Sequence, residues 1–280
     1  MNVDRSNFDW PFYADETGTP KKILYATCNA GLCNRLMVLL SCQRIASRTG
    51  RNFAVYWPVD AFKKDESLGC EFNDLFENEF RWMTTDDIYW MFNTYHTTRI
   101  IEPPGRINVE SGDDTQIVTV KGWYWTHLDG EIPNWGLRSE MLNSLRPVKA
   151  ITDRLCRVRH QDNAFGVHVR QNHSTFNEST LNKFKEAIDQ QLKTYAKFVL
   201  VSDNVEVKQD LTAMYGDRCL TLDKIGGVNA AENRSTVEGM RDAVVDLYVL
   251  SRFPKILGTQ HSTFSECAAF LGKQSDLEWV

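Results

Sequence analysis

The chain has 280 residues, of which 42% are hydrophobic and 25% charged, and its formal net charge is −5. That length supports two medium α/β domains with separate cores, and the acidic balance argues against nucleic acid as the main partner. The opening residues, Met1 to Asp9, carry acid and no apolar core, so they do not read as a signal peptide, and no uninterrupted apolar run reaches bilayer length.

In chain order, residues 1 to about 20 read as a polar surface tail dotted with aromatics. Lys22–Thr27 is the first predicted strand. A tight turn, Cys28 to Arg35, leads into a helix over 34–49 with Leu36, Leu39, Leu40 and Ile45 inward. Gly50 stops that helix, and Asn52–Trp57 is the second strand. The unit is βαβ, which requires a parallel sheet and a right-handed crossover. Gly31 and Asn34 at the turn let backbone N–H groups of a helix start face a ligand. The turn is neither Gly-x-Gly-x-x-Gly nor a Walker loop, so it supports neither a dinucleotide nor an ATP-hydrolysis reading.

Phe72–Phe80 and Asp86–Phe92 read as short helices with aromatic faces, and Pro103-Pro104-Gly105 as a loop. Ile117–Trp125 is a strand, placing His127 and Asp129 near its carboxyl end as candidate acceptor-site residues. Met141–Pro147 closes the first half, giving expected domains 1–147 and 148–280. A helix over 148–159 opens the second half. Strand 163–170 and helix 180–196 follow, the helix with Leu181, Phe184, Ile188 and Leu192 on one side. Strand 197–202, helix 205–215, strand 219–222, loop 223–234, helix 235–252, strand 255–259 and helix 262–271 complete the chain. Such alternation specifies parallel sheets covered on both faces, and two α/β domains facing a cleft are expected.

The strand ends of the second half are unusually polar: His168-Val169-Arg170, Ser202-Asp203-Asn204, Asp223-Lys224 and Thr259 to Ser265. Strands that run parallel in one sheet deliver these ends to one edge, where open α/β sheets bind ligands. Arg170 supplies a permanent planar charge suited to a diphosphate. Ser262 and Ser265 lie at a helix start, whose hydroxyls and free N–H groups form an anion cradle. Asp203 is placed to take a ribose hydroxyl or a base N–H. No Asp-x-Asp pair stands at a strand-to-loop junction, and the adjacent pairs Asp86-Asp87 and Asp113-Asp114 have no metal-site context, so no metal is expected. Cys28, Cys33, Cys42, Cys70, Cys156, Cys219 and Cys267 form no Cys-x-x-Cys pair and read as reduced, buried thiols.

Gly31 to Leu36, His168-Val169-Arg170, Val199 to Asp203, Asp246 and Gly258 to Ser265 occur in the order seen in the fucosyltransferase superfamily, which the chain resembles from its first strand to its last helix. That group includes the rhizobial enzyme NodZ and the core α1,6-fucosyltransferases. The resemblance implies a GT-B fold of two Rossmann-like domains. It also implies an inverting, metal-independent glycosyltransferase that needs no cofactor and moves a sugar from a nucleotide-diphosphate donor, GDP-fucose, to a glycan hydroxyl. It places Arg170 and Ser262, Thr263, Phe264 and Ser265 at the donor diphosphate; His168, Asp203, Asn204, Asp246, Gly31 and Asn34 are expected at the donor beside them, and His127 and Asp74 at the acceptor. Glu178, ten residues beyond the motif histidine, is implied as the base, with Asp129 and Asp74 behind it.

Where the superfamily often reads His-x-Arg-Arg-x-Asp, this chain has Gln171 after Arg170 and His173 in place of the acid. Its size is also that of chlorella-virus capsid-glycan enzymes, so a UDP-xylose-dependent β-xylosyltransferase acting on a viral glycan is the alternative. A non-catalytic nucleotide- or sugar-binding module is the reading from another class. The expected location is cytoplasmic, a host cytoplasm for a viral protein, and the expected partners are the donor and an oligosaccharide or glycoprotein acceptor.

Overall fold

β-Branched and aromatic runs pair into two separate parallel sheets, one in each half of the chain. The computed structural model describes residues 16–17, 21–59, 68–84, 87–88, 98–101, 115, 117–122, 124–128, 134–159, 161–170, 178–225, 234–272 and 276–280. The chain divides into two compact units, residues 1–58 with 79–132 and residues 59–78 with 133–280. The boundary expected at 147/148 therefore falls inside the second unit.

In the first unit the sheet order is β2-β1-β4-β3. Its strands are β1 (Ile23–Cys28), β2 (Asn52–Tyr56), β3 (Thr98–Ile101) and β4 (Ile117–Gly122). β1 is central, in parallel register with β2 on one side and β4 on the other. The crossover from β1 to β2 is α1 (Leu32–Thr49), which buries Leu36, Met37, Leu39, Leu40 and Ile45. It ends at Gly50, whose φ of 64° is left-handed and turns the following Arg51 N–H back to the carbonyl of Ala46 at 2.9 Å. Burying a Leu or Ile side chain contributes about 1.5–3 kcal/mol relative to leaving it exposed, so this helix is held mainly by its apolar face.

The second unit carries the sheet β7-β6-β5-β8-β9. These are β5 (Ala164–Val169), β6 (Lys197–Ser202), β7 (Cys219–Thr221), β8 (Lys255–Gly258) and β9 (Asp276–Trp279). All neighbours pair in parallel. Strands β5, β6 and β7 grow the sheet one way, and β8 and β9 then grow it the other way from β5. The order thus reverses between β5 and β8, which is where ligands lodge in open α/β sheets. Every residue of β5 is buried, and Phe165, Val167 and Val169 pack with Phe184, Ile188, Phe198, Leu200 and Leu257 in one core cluster. The helices are α2 (Trp135–Asn143), α3 (Lys149–Arg157), α4 (Glu178–Gln191), α5 (Val205–Tyr215), α6 (Val237–Leu250) and α7 (Thr263–Leu271).

Some expectations are corrected. The helix expected over Phe72–Phe80 is a single 3₁₀ turn, Phe72–Asp74, closed by reciprocal capping between Glu71 and Asp74. The chain then leaves helical geometry as Phe76 bridges Pro147 and the Glu77 N–H bonds the carbonyl of Arg146. Helix α2 and strands β3 and β9 were not anticipated. Of the segment 86–92 only residues 87–88 are described, and they are helical, while residues 1–15 and 103–105 lie outside the described residues. All seven cysteines are free thiols, six of them buried as expected, but Cys156 is exposed.

Candidate functional site

The switch between β5 and β8 is built by close backbone approach. His168 pairs with Gly258 in the parallel register. A Cβ at position 258 would lie 2.7 Å from both Cβ and Oγ of Ser265, closer than atoms tolerate, so only glycine lets the first turn of α7 settle on the strand end. Ser265 Oγ then lies 2.8 Å from Nδ1 of His168. Phe264 covers the imidazole with ring centroids 4.8 Å apart and planes inclined by 32°. Burial, joined by the charges of Arg170 and Lys224, pushes the His168 pKa down to about 3. The imidazole is therefore neutral, and its role is that of a hydrogen-bonding strut.

Thr259 ties the same strand ends together from the β8 side. Its N–H donates to the carbonyl of His168 at 3.1 Å. Its hydroxyl donates to that carbonyl at 3.2 Å and accepts the Arg170 N–H at 2.8 Å. Arg170, half-buried, thus leaves the sheet from a backbone fixed at the switch point. Beyond Thr259 the chain passes through His261, a non-glycine residue with φ of 61°, and Ser262 N–H returns to the Thr259 carbonyl at 3.0 Å. Ser262 takes the N-cap position of α7, yet its hydroxyl makes no capping bond. That Oγ is fully buried and has no hydrogen-bond partner among the described residues. A polar atom left so at a helix start is an unfilled acceptor or donor beside the positive end of a helix dipole. Thr263 and Phe264 are half-buried in the first turn.

The ends of β6 and β7 add charge. Asn204 caps α5, its Oδ1 accepting the Val207 N–H at 2.8 Å, so that carbonyl is committed to the helix. Asp203 is half-buried beside it. Lys224, after β7, forms a buried ion pair with Asp246 of α6, both side chains being 8% exposed. The other oxygen of Asp246 is buried with no partner among the described residues. One turn earlier on α6, Asp242 pairs with Arg154 and accepts the Ile225 N–H at 2.9 Å, so the two acids fasten the segment 223–225 from one helix face. Lys208 of α5 has its pKa lowered by burial and then by Lys224, against the opposing pull of Asp246, Asp203 and Asp242.

These groups, His168, Arg170, Asp203, Lys208, Lys224, Asp246 and Ser262–Ser265, are brought together on one sheet edge. The sequence reading had set Lys224 and Thr259 among the polar strand ends of this edge without giving either a role, and had not singled out Lys208. Lys224 carried a signal in standing just beyond a strand end, whereas Lys208 lies inside a helix and gave none.

The other expected residues lie elsewhere. Asp74 accepts the Glu71 N–H at 2.9 Å in its capping turn, and its carbonyl accepts Arg241 Nε at 3.1 Å. In the first unit Gly31 is the N-cap of α1 after Ala30, whose φ is 70°. Asn34 follows in the first turn. Arg35 is fully buried there, donating to the carbonyls of Ala30 at 3.0 Å and Pro58 at 2.7 Å and lying 5.0 Å from the Trp57 ring centroid. His127 is half-buried beyond β4, near Thr126, whose N–H donates to Ser41 Oγ at 3.3 Å. Because β1 and β4 are neighbours, both features sit at the switch point of the first sheet. Asp129 is outside the described residues; Glu178 opens α4, and its side chain is likewise outside the description. Among the described residues no group of three or more His, Cys, Asp or Glu side chains could hold a metal ion, and no helix is long and apolar enough to cross a membrane.

Two parallel α/β sheets, each with its switch point at the end of its first strand, define a protein of two Rossmann-like units, the kind of unit from which GT-B folds are built. No protein-family model matches the sequence, and no curated relative is found by sequence comparison. Solved structures do match. The α-1,6-fucosyltransferase NodZ, known from Bradyrhizobium, shares the fold in a crystal soaked with GDP-fucose: TM-score 0.64, 16% identity, 90% of this chain and 92% of that one. FUT1 of Arabidopsis thaliana, a mutant in complex with GDP, matches with TM-score 0.57 and 15% identity over 93% of this chain and 70% of that one. POFUT1 in complex with GDP-fucose matches with TM-score 0.55 and 12% identity over 95% and 99%. The chain has the fold of the fucosyltransferases.

Proposed function

We propose that the chain is a glycosyltransferase that transfers a sugar from a nucleotide-diphosphate donor, GDP-fucose, to a glycan hydroxyl. The observation that carries this is the buried, unpartnered Ser262 Oγ at the start of α7, on the same sheet edge as Arg170. The ligands named for the fold's solved relatives, GDP and GDP-fucose, support the choice of donor.

In this reading the donor diphosphate lies across the β5/β8 switch point. Arg170 donates to its oxygens, and the N–H groups and hydroxyls of Ser262 to Ser265 stabilise charge as the nucleotide departs. Asp203 and Asp246 accept from the ribose or base. A carboxylate takes the proton from the acceptor hydroxyl as that oxygen attacks the anomeric carbon in a single inverting displacement. Glu178 is the first candidate, followed by Asp129 and Asp74. Charge on the leaving group is balanced by protein groups without a metal ion.

The test begins with thermal shift against GDP, UDP, ADP and CMP, because a ligand that binds only the folded chain raises its melting temperature. GDP is expected to give the largest rise and R170A to abolish it; a melting temperature indifferent to every nucleotide overturns the reading. With GDP-fucose as donor, E178Q is expected to keep nucleotide binding and lose turnover. Nucleotide binding with no transfer to any glycan acceptor would make the chain a binding module instead.

A further inference from the structure

We infer that Lys224 is the second cation of the donor-diphosphate site, reaching the phosphates from the end of β7 opposite Arg170. This rests on the reading of the β5/β8 edge as that site. The argument is one of charge and position. A terminal phosphate alone carries roughly −1.5 to −2 near neutral pH. Arg170 supplies one positive charge and the start of α7 about half of one. His168, between them, supplies none because it is neutral. One fixed cation and a helix end leave roughly half the charge of a departing nucleoside diphosphate, about −2.5 to −3 in all, unbalanced, and imbalance away from water is costly.

Lys224 stands where the deficit is. It follows β7, whose carboxyl end adjoins that of β6, as β6 adjoins β5. Its charge and that of Arg170 both bear on the His168 imidazole, so the two cations share that neighbourhood. Its ammonium is buried against Asp246, whose second oxygen has no partner among the described residues. A buried pair with one unfilled acceptor is suited to partner exchange: N–H or O–H groups of the nucleotide occupy Asp246, and the ammonium turns its remaining donors to the phosphates. Asp242, one turn away, keeps the backbone of the segment in place through Ile225 during that exchange.

The experiment titrates GDP against guanosine, and UDP against uridine, into the wild type, K224M and K224R by calorimetry, with melting temperatures of the ligand-free proteins as the measure of folding. If Lys224 grips phosphate, K224M is expected to bind the diphosphate about ten- to a hundredfold more weakly. Affinity for the phosphate-free nucleoside is expected to stay within about threefold, and K224R is expected to recover most of the loss. Because K224M leaves Asp246 buried without its partner, the same comparison is made between D246N and K224M/D246N, which have no such charge left over. Equal losses for diphosphate and nucleoside in both comparisons, or no loss, overturn the role of Lys224 while leaving the donor site standing. Failure of the wild type to bind any nucleoside diphosphate overturns both.

Discussion

The imidazole Nδ1 of His168 and the hydroxyl of Ser265 lie 2.8 Å apart, both groups buried, and join the end of β5 to the first turn of α7. Removing the hydroxyl leaves a buried ring nitrogen without its partner. S265A is therefore expected to lower stability by about 1–3 kcal/mol and to weaken nucleotide binding as the cradle loosens. Chemical unfolding with and without GDP checks both; unchanged stability would mean the contact is incidental.

Stability is also expected to depend on the protonation of His168. Its folded pKa of about 3 lies below the ordinary value of 6.5. Between those values the unfolded chain binds more protons, so this residue's contribution is complete above about pH 6.5 and is lost as pH falls toward the folded pKa. The slope is at most about 1.4 kcal/mol per pH unit. From pH 6 to pH 5 the wild type is expected to lose about 1 kcal/mol more than H168Q. Parallel losses in urea unfolding of the two proteins would contradict a neutral, buried imidazole.

Gly258 is the position where a methyl group does most harm near the switch point. G258A forces both Ser265, 2.7 Å from the added carbon, and the side chain of Leu277, 2.9 Å from it, to move. The expected cost is about 1–3 kcal/mol, typical of overpacking, and S265G is expected to recover part of it by vacating the space. A G258A protein that melts with the wild type would show that the strands separate freely.

Arg154 and Lys149 belong to the same helix, and both pair with acids, in opposite surroundings. Asp242, the partner of Arg154, is 1% exposed, whereas Lys149 is 82% exposed and Asp153 48%. R154A is expected to cost about 3 kcal/mol, since it takes the counter-charge from a buried carboxylate, and K149A about 0.3–0.5 kcal/mol. Similar melting temperatures for the two variants would mean that Asp242 finds another partner.

Arg35 offers a test in the first unit. R35M is expected to deprive the Ala30 and Pro58 carbonyls of their donor, costing about 1–3 kcal/mol for each left buried. The strained Ala30 turn before α1 depends on one of those bonds, so proteolysis at that turn is expected to accelerate. Cleavage at the wild-type rate would count against it.

Most of the second sheet was legible because each strand is a short apolar run followed by an amphipathic helix, and β5 to β8 fall where those runs lie. What the alternation could not supply was the order of strands. The contact of His168 with Ser265, 97 residues away, follows only from β8 adding beside β5 rather than beyond β7. Helix α2 escaped because its buried face includes Ser139 beside Met141 and Leu142, so no apolar stripe marks it. Strand β9 escaped because Asp-Leu-Glu-Trp is an edge strand with no fully buried residue, its acids held by Lys255. The aromatic run from Phe72 imitated a helix because Phe72, Leu75 and Phe76 are all buried, though the chain makes only one turn there. Of the candidate site, the strand-end groups were readable from position. Lys208, which shares the edge, was not, since a lysine inside a helix ordinarily signals solvent.

The distribution of sulfur has a practical use. Six thiols are enclosed, and Cys28 is pushed up to about 12 by burial, so it resists alkylation at neutral pH. Cys156, on α3 of the second unit, is the solvent-facing exception. A maleimide dye is therefore directed to one address without engineering, which makes the native chain its own optical reporter.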